Sequence, residues 1–196
     1  MSKIWGFKLK FHNVFLILTM AVANILLHFV AQYLNENNVP MPLWLDSVGI
    51  VVAAIEAGPI AGALAGLPVY GIYLFSKPDW TLFAFNSVII GIAAGIFART
   101  KSVSNWKNAV GLGMILALID IVLASLIDQH LYNGLTGYVL ADMVFTGLPQ
   151  TIPLEIRSIM AESVMSVPDK IISVLLAYNI CSSYSLDRTS ISTEVG

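Results

Sequence analysis

Residues 46–75 read DSVGIVVAAIEAGPIAGALAGLPVYGIYLF, an apolar stretch broken by two carboxylates and no basic side chain, and the topology of the chain turns on it. About 20 apolar residues cross a bilayer, so the stretch is either one over-long span or two short helices. Gly58-Pro59 stands near its middle, where proline removes a backbone donor and glycine permits a tight bend. Four further apolar stretches of spanning length lie at about 13–34, 83–99, 108–128 and 159–182. If the first stretch is two helices, about 46–57 and 60–75, the chain has six spans and both ends share a side. Lys3, Lys8, Lys10, Arg99, Lys101, Lys107 and Arg188 then lie together, opposite only Lys77 and Arg157. With a single helix the basic residues split about evenly. The tendency of basic residues to stay inside selects six spans with both termini cytoplasmic.

Composition agrees with a lipid solvent. The chain is 57% hydrophobic and 11% charged with mean hydropathy +0.80, against roughly 25% charged residues in an ordinary soluble domain. The expected fold is therefore an all-α membrane protein, a bundle of six transmembrane helices followed by a polar, disordered cytoplasmic tail at 183–196. The apolar run from Val14 to about Leu34 passes beyond Ala21-Val22-Ala23, so it reads as a retained first helix and not as a cleaved signal. A net charge of -2 and a pI near 5.8 offer no basic face for nucleic acid. Cys181 is the single cysteine, and His12, His28 and His130 are scattered without metal-ligand spacing, so neither a metal nor a cofactor is expected. There is no phosphate loop, nucleophile elbow or His-Glu-x-x-His helix, which argues against an enzyme and against a self-powered pump.

Charged residues inside spans cost about 2.5–3.5 kcal/mol each at the bilayer centre on insertion scales, so those present need a reason. Glu162, Ser166, Asp169, Lys170 and Ser173 fall within about a third of the circumference of the last helix. That face runs roughly 12 Å from the outer rim toward the midplane. Asp120 in the fifth span reaches similar depth, while Asp46 and Asn86 stand near the outer ends of the second and fourth. These residues converge on one outer cavity, or Lys170 pairs with Asp120 or Asp169 as a structural ion pair. Trp44, Trp80, Tyr70 and Tyr73 fall at the same outer interface as aromatic anchors, with Trp80 or Tyr73 available to stack on a flat ligand. Trp5 and Trp106 mark the inner one. The connection at 129–158, with a piece too short to cross at Tyr138 to Leu148, is either a lid over that cavity or a surface helix. Gly62 with Gly66, and Gly91 with Gly95, form two GxxxG faces read as internal packing. Thr19 and Ala23 form a weaker small face available to a partner.

Leu45-Asp46-Ser47-Val48-Gly49, then Gly58-Pro59 and Gly62-Ala63-Leu64-Ala65-Gly66, resembles the second and third helices of substrate-binding S components of energy-coupling factor (ECF) vitamin transporters. Asn86 opening a helix with Gly91 and Gly95, and Pro168-Asp169-Lys170 in the last helix, are similar to later parts of that pattern, and the likeness covers most of the chain. The resemblance implies a six-helix subunit in a prokaryotic cell membrane that binds a vitamin or its precursor from outside. It also implies a transmembrane coupling subunit and two cytoplasmic ATPase subunits as partners, and a lid in the loop from Asn35 to Leu45. In the family small residues on the first helix face the coupling subunit; the nearest match here is Thr19 to Ala23. The expected binding set is Asp46, Trp80, Asn86, Asp120, Glu162, Asp169 and Lys170, which suits a neutral hydrogen-bonding ligand better than an anion. A membrane-embedded sensor module and a structural scaffold are the other readings.

Overall fold

The computed structural model describes residues 11–76, 78–101 and 103–194, without the side chains of residues 69, 70, 72, 73, 76, 79 and 184 onward. Expectations resting on Lys3, Trp5, Lys8, Lys10, Lys77, Arg188 and the side chains of Tyr70 and Tyr73 lie outside the described residues. The described residues hold seven helices and no strand: α1 (Phe11–Glu36), α2 (Val48–Ala57), α3 (Pro59–Ser76), α4 (Thr81–Thr100), α5 (Trp106–Leu131), α6 (Val139–Gly147) and α7 (Leu154–Glu194), with a 3₁₀ turn at Pro78–Trp80. Helices α1, α4, α5 and the Leu154–Ser183 part of α7 are long and apolar enough to cross a membrane. Along α1, Phe15, Leu18, Val22, Leu26 and Phe29 are exposed, a stripe suited to lipid contact.

The stretch at 46–75 is two helices. Gly58 closes α2 with φ at 95°, a left-handed value open to glycine, and its N–H returns to the Ala54 carbonyl. Pro59 follows as the first residue of α3, where its missing N–H has no helical partner to lose. With 10 residues, α2 rises about 15 Å, roughly half the hydrocarbon thickness. Apart from Glu56, exposed near its end, it is apolar, and Val48 through Ala54 are all buried, as befits a helix at the centre of a bundle. Its Ile50, Val51 and Val52 pack with Ile90 of α4, Leu112 and Leu116 of α5 and Val174 of α7.

Two close approaches set this packing. The start of α2 is pressed onto α1, since a Cβ at Gly49 would run into the Met20 carbonyl. The Gly49 N–H, an orphan donor of the first turn, is taken at 3.2 Å by Asn24 Oδ1 of α1. Between α3 and α4 the two GxxxG faces meet antiparallel: Gly62 abuts Gly91, Gly66 abuts Ser87 and Gly95 abuts Pro59. A Cβ on Gly62 would lie 2.6 Å from the Gly91 carbonyl oxygen. Gly91→Val is therefore expected to destabilise by about 1–3 kcal/mol through overpacking, read as a lowered melting temperature in detergent. An unchanged melting temperature would mean that α3 and α4 do not touch here.

Two expectations are corrected. The segment from 183 onward, read as a disordered tail, continues α7 as helix to Glu194. The second helix, expected from about 46, starts at Val48, so Asp46 stands in the loop before it; Lys170 Nζ reaches Asp46 Oδ1 at 3.1 Å.

Candidate functional site

One end of the bundle holds a pocket of about 570 Å³, its open mouth included. Each wall comes from a different element. Helix α1 contributes His28; the loop before α2 contributes Trp44 and Asp46; the 3₁₀ turn and α4 contribute Trp80, Phe83, Asn86 and Ser87; α5 contributes Asp120; the connection to α7 contributes Thr136 and Tyr138; and α7 contributes Glu162.

Beneath the pocket the polar face of α7 is locked to its neighbours. Lys170, 1% exposed, lies 2.8 Å from Asp169, 3.1 Å from Asp46 and 3.2 Å from Asp120. Its ammonium donates to Asp46 and Asp169 and makes a third ion pair with Asp120. The indole of Trp44 also lies near, its ring centroid 5.1 Å from Nζ. Asp169 turns its other oxygen to the loop, accepting from the N–H groups of Trp44 (2.9 Å) and Leu45 (2.8 Å). Two successive amides reach one oxygen because Leu45 is held at φ 53°, a conformation costly for a branched side chain. The Asp46 carbonyl accepts from the Asn24 side chain, which ties α1 to the same loop.

Asp120 accepts from Ser166 Oγ at 3.0 Å and from Asn86 Nδ2 at 3.4 Å. Glu162 Oε2 lies 3.4 Å from the same hydroxyl, whose single proton serves the closer Asp120. Behind Glu162 lies Asp128 of α5, whose carboxyl group faces it; neither Asp128 oxygen receives a hydrogen bond from an amide, amine or hydroxyl donor.

The mouth is aromatic. Tyr138 sits between Trp44, edge-on at 5.8 Å, and Trp80, tilted at 6.2 Å. Its ring belongs to a cluster with Ala141, Phe145, Ala161 and Met165 that seats α6 on α7. The segment is anchored by Asn35 at the end of α1, whose side chain donates to the Gly137 carbonyl (3.0 Å) and accepts from the Val139 N–H (2.8 Å). Asp142 braces the same turn by accepting from the Thr136 N–H at 2.7 Å. The Tyr138 hydroxyl has no hydrogen-bond partner. Burial, followed by the nearby Asp46 and Asp169 carboxylates, pushes its pKa upward, so it is a neutral phenol able to donate.

Of the seven residues expected at a site, Asp46, Trp80, Asn86, Asp120 and Glu162 line the pocket, whereas Asp169 and Lys170 lie behind its wall. Thr19 is exposed and Ala23 half-buried on α1, Thr19 beside a groove bounded by Val52 and Glu56 of α2 and Cys181 of α7. His28, Phe83, Ser87, Thr136 and Tyr138 were not among the residues proposed as ligand contacts. His28 was legible: Asn24, His28 and Gln32 recur every four residues on an otherwise apolar helix, and all three are buried.

No family model matches this chain, and no curated protein or solved structure matches it.

The geometry therefore carries the functional argument alone. Ring-walled and ending on a few convergent polar groups, the pocket has the lining of a small-molecule site. Among the described residues no group of three or more His, Cys, Asp or Glu side chains is arranged to hold a metal ion.

Proposed function

We propose that the protein is the substrate-binding subunit of an energy-coupling-factor type transporter, capturing a small water-soluble vitamin or vitamin precursor for uptake into a prokaryotic cell. On this reading α1 to α5 and α7 are six spans of a bundle with both termini cytoplasmic, and the pocket opens outward. The observation that carries it is the meeting of His28, Asp46, Asn86, Asp120 and Glu162 from five elements under the rings of Trp44, Trp80 and Tyr138. Such a site binds and releases; nothing in it pairs a nucleophile with a base over a reacting atom. Energy for release then comes from a transmembrane coupling subunit and two cytoplasmic ATPase subunits, with the groove beside Thr19 as a docking place on α1.

Affinity purification of the tagged protein from its native membrane tests the assembly: the expected result is co-recovery of an ATP-binding subunit pair and a multi-span partner. Mass spectrometry of the denatured eluate tests capture, with a stoichiometric small molecule expected. Recovery without ATPase subunits sinks the transporter reading, and a solute-free eluate that also binds no solute sinks capture.

The loops before α2 and before α6 meet over the pocket through Trp44 and Tyr138, and Asn35 ties the second of them to the end of α1. Asn35→Ala removes both bonds, about 1 kcal/mol each, on the side of the closed state. Solute dissociation is expected to accelerate roughly thirtyfold, measured by stopped-flow displacement, with little change in association. An unaltered dissociation rate would show that this segment does not gate the pocket.

A further inference from the structure

The reading of the site as a solute pocket leaves the chemistry of the solute open, and the charges in its walls narrow it. Five carboxyl groups, Asp46, Asp120, Asp128, Glu162 and Asp169, gather around one lysine and one histidine. Lys170 is consumed by three of them, each within hydrogen-bonding reach of its nitrogen. Buried and enclosed by carboxylates, it is not presented to a ligand anion. Glu162, 1% exposed, and Asp128, 0% exposed, have no ion-pair partner among the described residues. Arg157, five residues before Glu162 on α7, has its guanidinium over the Phe145 ring at 4.5 Å. The carboxyl groups of Glu162 and Asp128 face each other and can share one proton, which leaves one buried carboxylate between them without a counter-charge, unfavourable by several kcal/mol. The protein is therefore short of positive charge on the side that Glu162 presents to the pocket.

Two further observations say what kind of cation fits. The remaining walls are ring faces, from Trp44, Trp80, Phe83 and Tyr138, which attract a cation through the negative face of the π-system and stack on a flat partner. They supply no oxygen shell for a bare metal ion, and among the described residues no metal-holding group occurs. The Tyr138 hydroxyl, on a residue 7% exposed, lines the pocket with no partner of its own. A buried hydroxyl is seldom left unmade, and here a bound molecule would complete it.

We propose that the solute is an organic cation of one or two rings, its positive charge on or beside a flat ring, held with the charge at Glu162 and the ring against the aromatic wall of Trp80 and Tyr138. This rests on the solute-capture reading and replaces the neutral ligand expected from side-chain types alone. The change follows from geometry: the lysine that sequence counted as available to a ligand is enclosed by carboxylates.

Isothermal titration of the intact detergent-solubilised protein, freed of bound solute, with three isosteric single-ring probes tests it: 1-methylnicotinamide (cation), nicotinamide (neutral) and nicotinate (anion). The cation is expected to bind at least tenfold more tightly than the neutral probe, with no binding of the anion. Glu162→Gln is expected to shrink the cation-over-neutral ratio at least tenfold, and Asp128→Asn to shrink it in the same direction, which mere loosening of the pocket would not do. If the neutral or anionic probe binds as well as the cation, the charge inference falls while solute capture stands. Should none of the three bind, the charge of the co-purified molecule decides: a cation supports the inference and a neutral or anionic molecule overturns it. Absence of both probe binding and a co-purified molecule overturns capture itself.

Discussion

Replacing Lys170 with methionine is expected to abolish accumulation of a folded, monodisperse protein. The methionine fits the volume of the lysine stem, so packing changes little; what changes is charge. Asp46, Asp120 and Asp169 converge on the ammonium at 2.8–3.2 Å, and Asp120 and Asp169 are almost wholly shielded from solvent. Removing one partner of a buried ion pair costs about 3–5 kcal/mol, and here one removal strands three carboxylates. Set against a total stability of about 5–15 kcal/mol, that is enough to unfold the chain. Lys170→Arg fares little better, because a planar guanidinium needs more room than a site this enclosed provides. Neutralising the partners should reverse the loss: Lys170→Met combined with Asp46→Asn, Asp120→Asn and Asp169→Asn is expected to recover folded protein. Fluorescence-detected gel filtration and thermal melting in mild detergent read both outcomes. A single Lys170→Met variant that melts like the parent would show that this cluster does not hold α5, α7 and the loop before α2 together.

The same cluster explains where sequence reading reached and where it stopped. Helical periodicity placed Glu162, Ser166, Asp169, Lys170 and Ser173 on one face of the last helix, and all five are buried. Period alone does not say whether such a face looks into a cavity or into a neighbouring helix. Here it does both, since Glu162 reaches the pocket while Asp169 and Lys170 close onto the loop before α2. Gly58-Pro59 was legible because its chemistry is local: a positive φ and a missing N–H end one helix and begin another. The pairing of Asp46 with Lys170 was not, because it joins the loop before α2 to a side chain 124 residues later, and no local pattern relates the two. Trp44 and Tyr138 escaped as pocket residues for a related reason. They stand on irregular connections, where no period relates neighbours in sequence to neighbours in space. It took the Asn35 bonds to Gly137 and Val139 to bring those connections together. The end of α7 went the other way: a Ser- and Thr-rich segment of low apolar content read as tail, yet it continues a helix already nucleated, where each added residue requires no new nucleus.

Tyr138 carries the second large effect, on binding instead of folding. Its ring fills the junction between Trp44, Trp80 and the α6 cluster, a group of side chains separate from the Ile50, Ile90, Leu112 and Val174 core of the bundle. Truncating a buried aromatic costs about 3–5 kcal/mol, and at this position the loss falls on the seating of the segment over the pocket, leaving the helix bundle packed. Tyr138→Ala is accordingly expected to fold, to melt within a few degrees of the parent in the solute-free state, and to bind its solute at least a hundredfold more weakly, the factor that roughly 3 kcal/mol produces. Tyr138→Phe separates ring from hydroxyl. It keeps the contacts with both tryptophans and removes only a donor that has no partner within the protein, so its solute-free stability should match the parent while affinity falls about tenfold, as for one lost hydrogen bond of about 1.5 kcal/mol. Calorimetric titration of the co-purified solute into the two variants measures both. If the alanine variant binds like the parent, the aromatic mouth plays no part in holding the solute. If the phenylalanine variant does, the hydroxyl meets water and not the ligand.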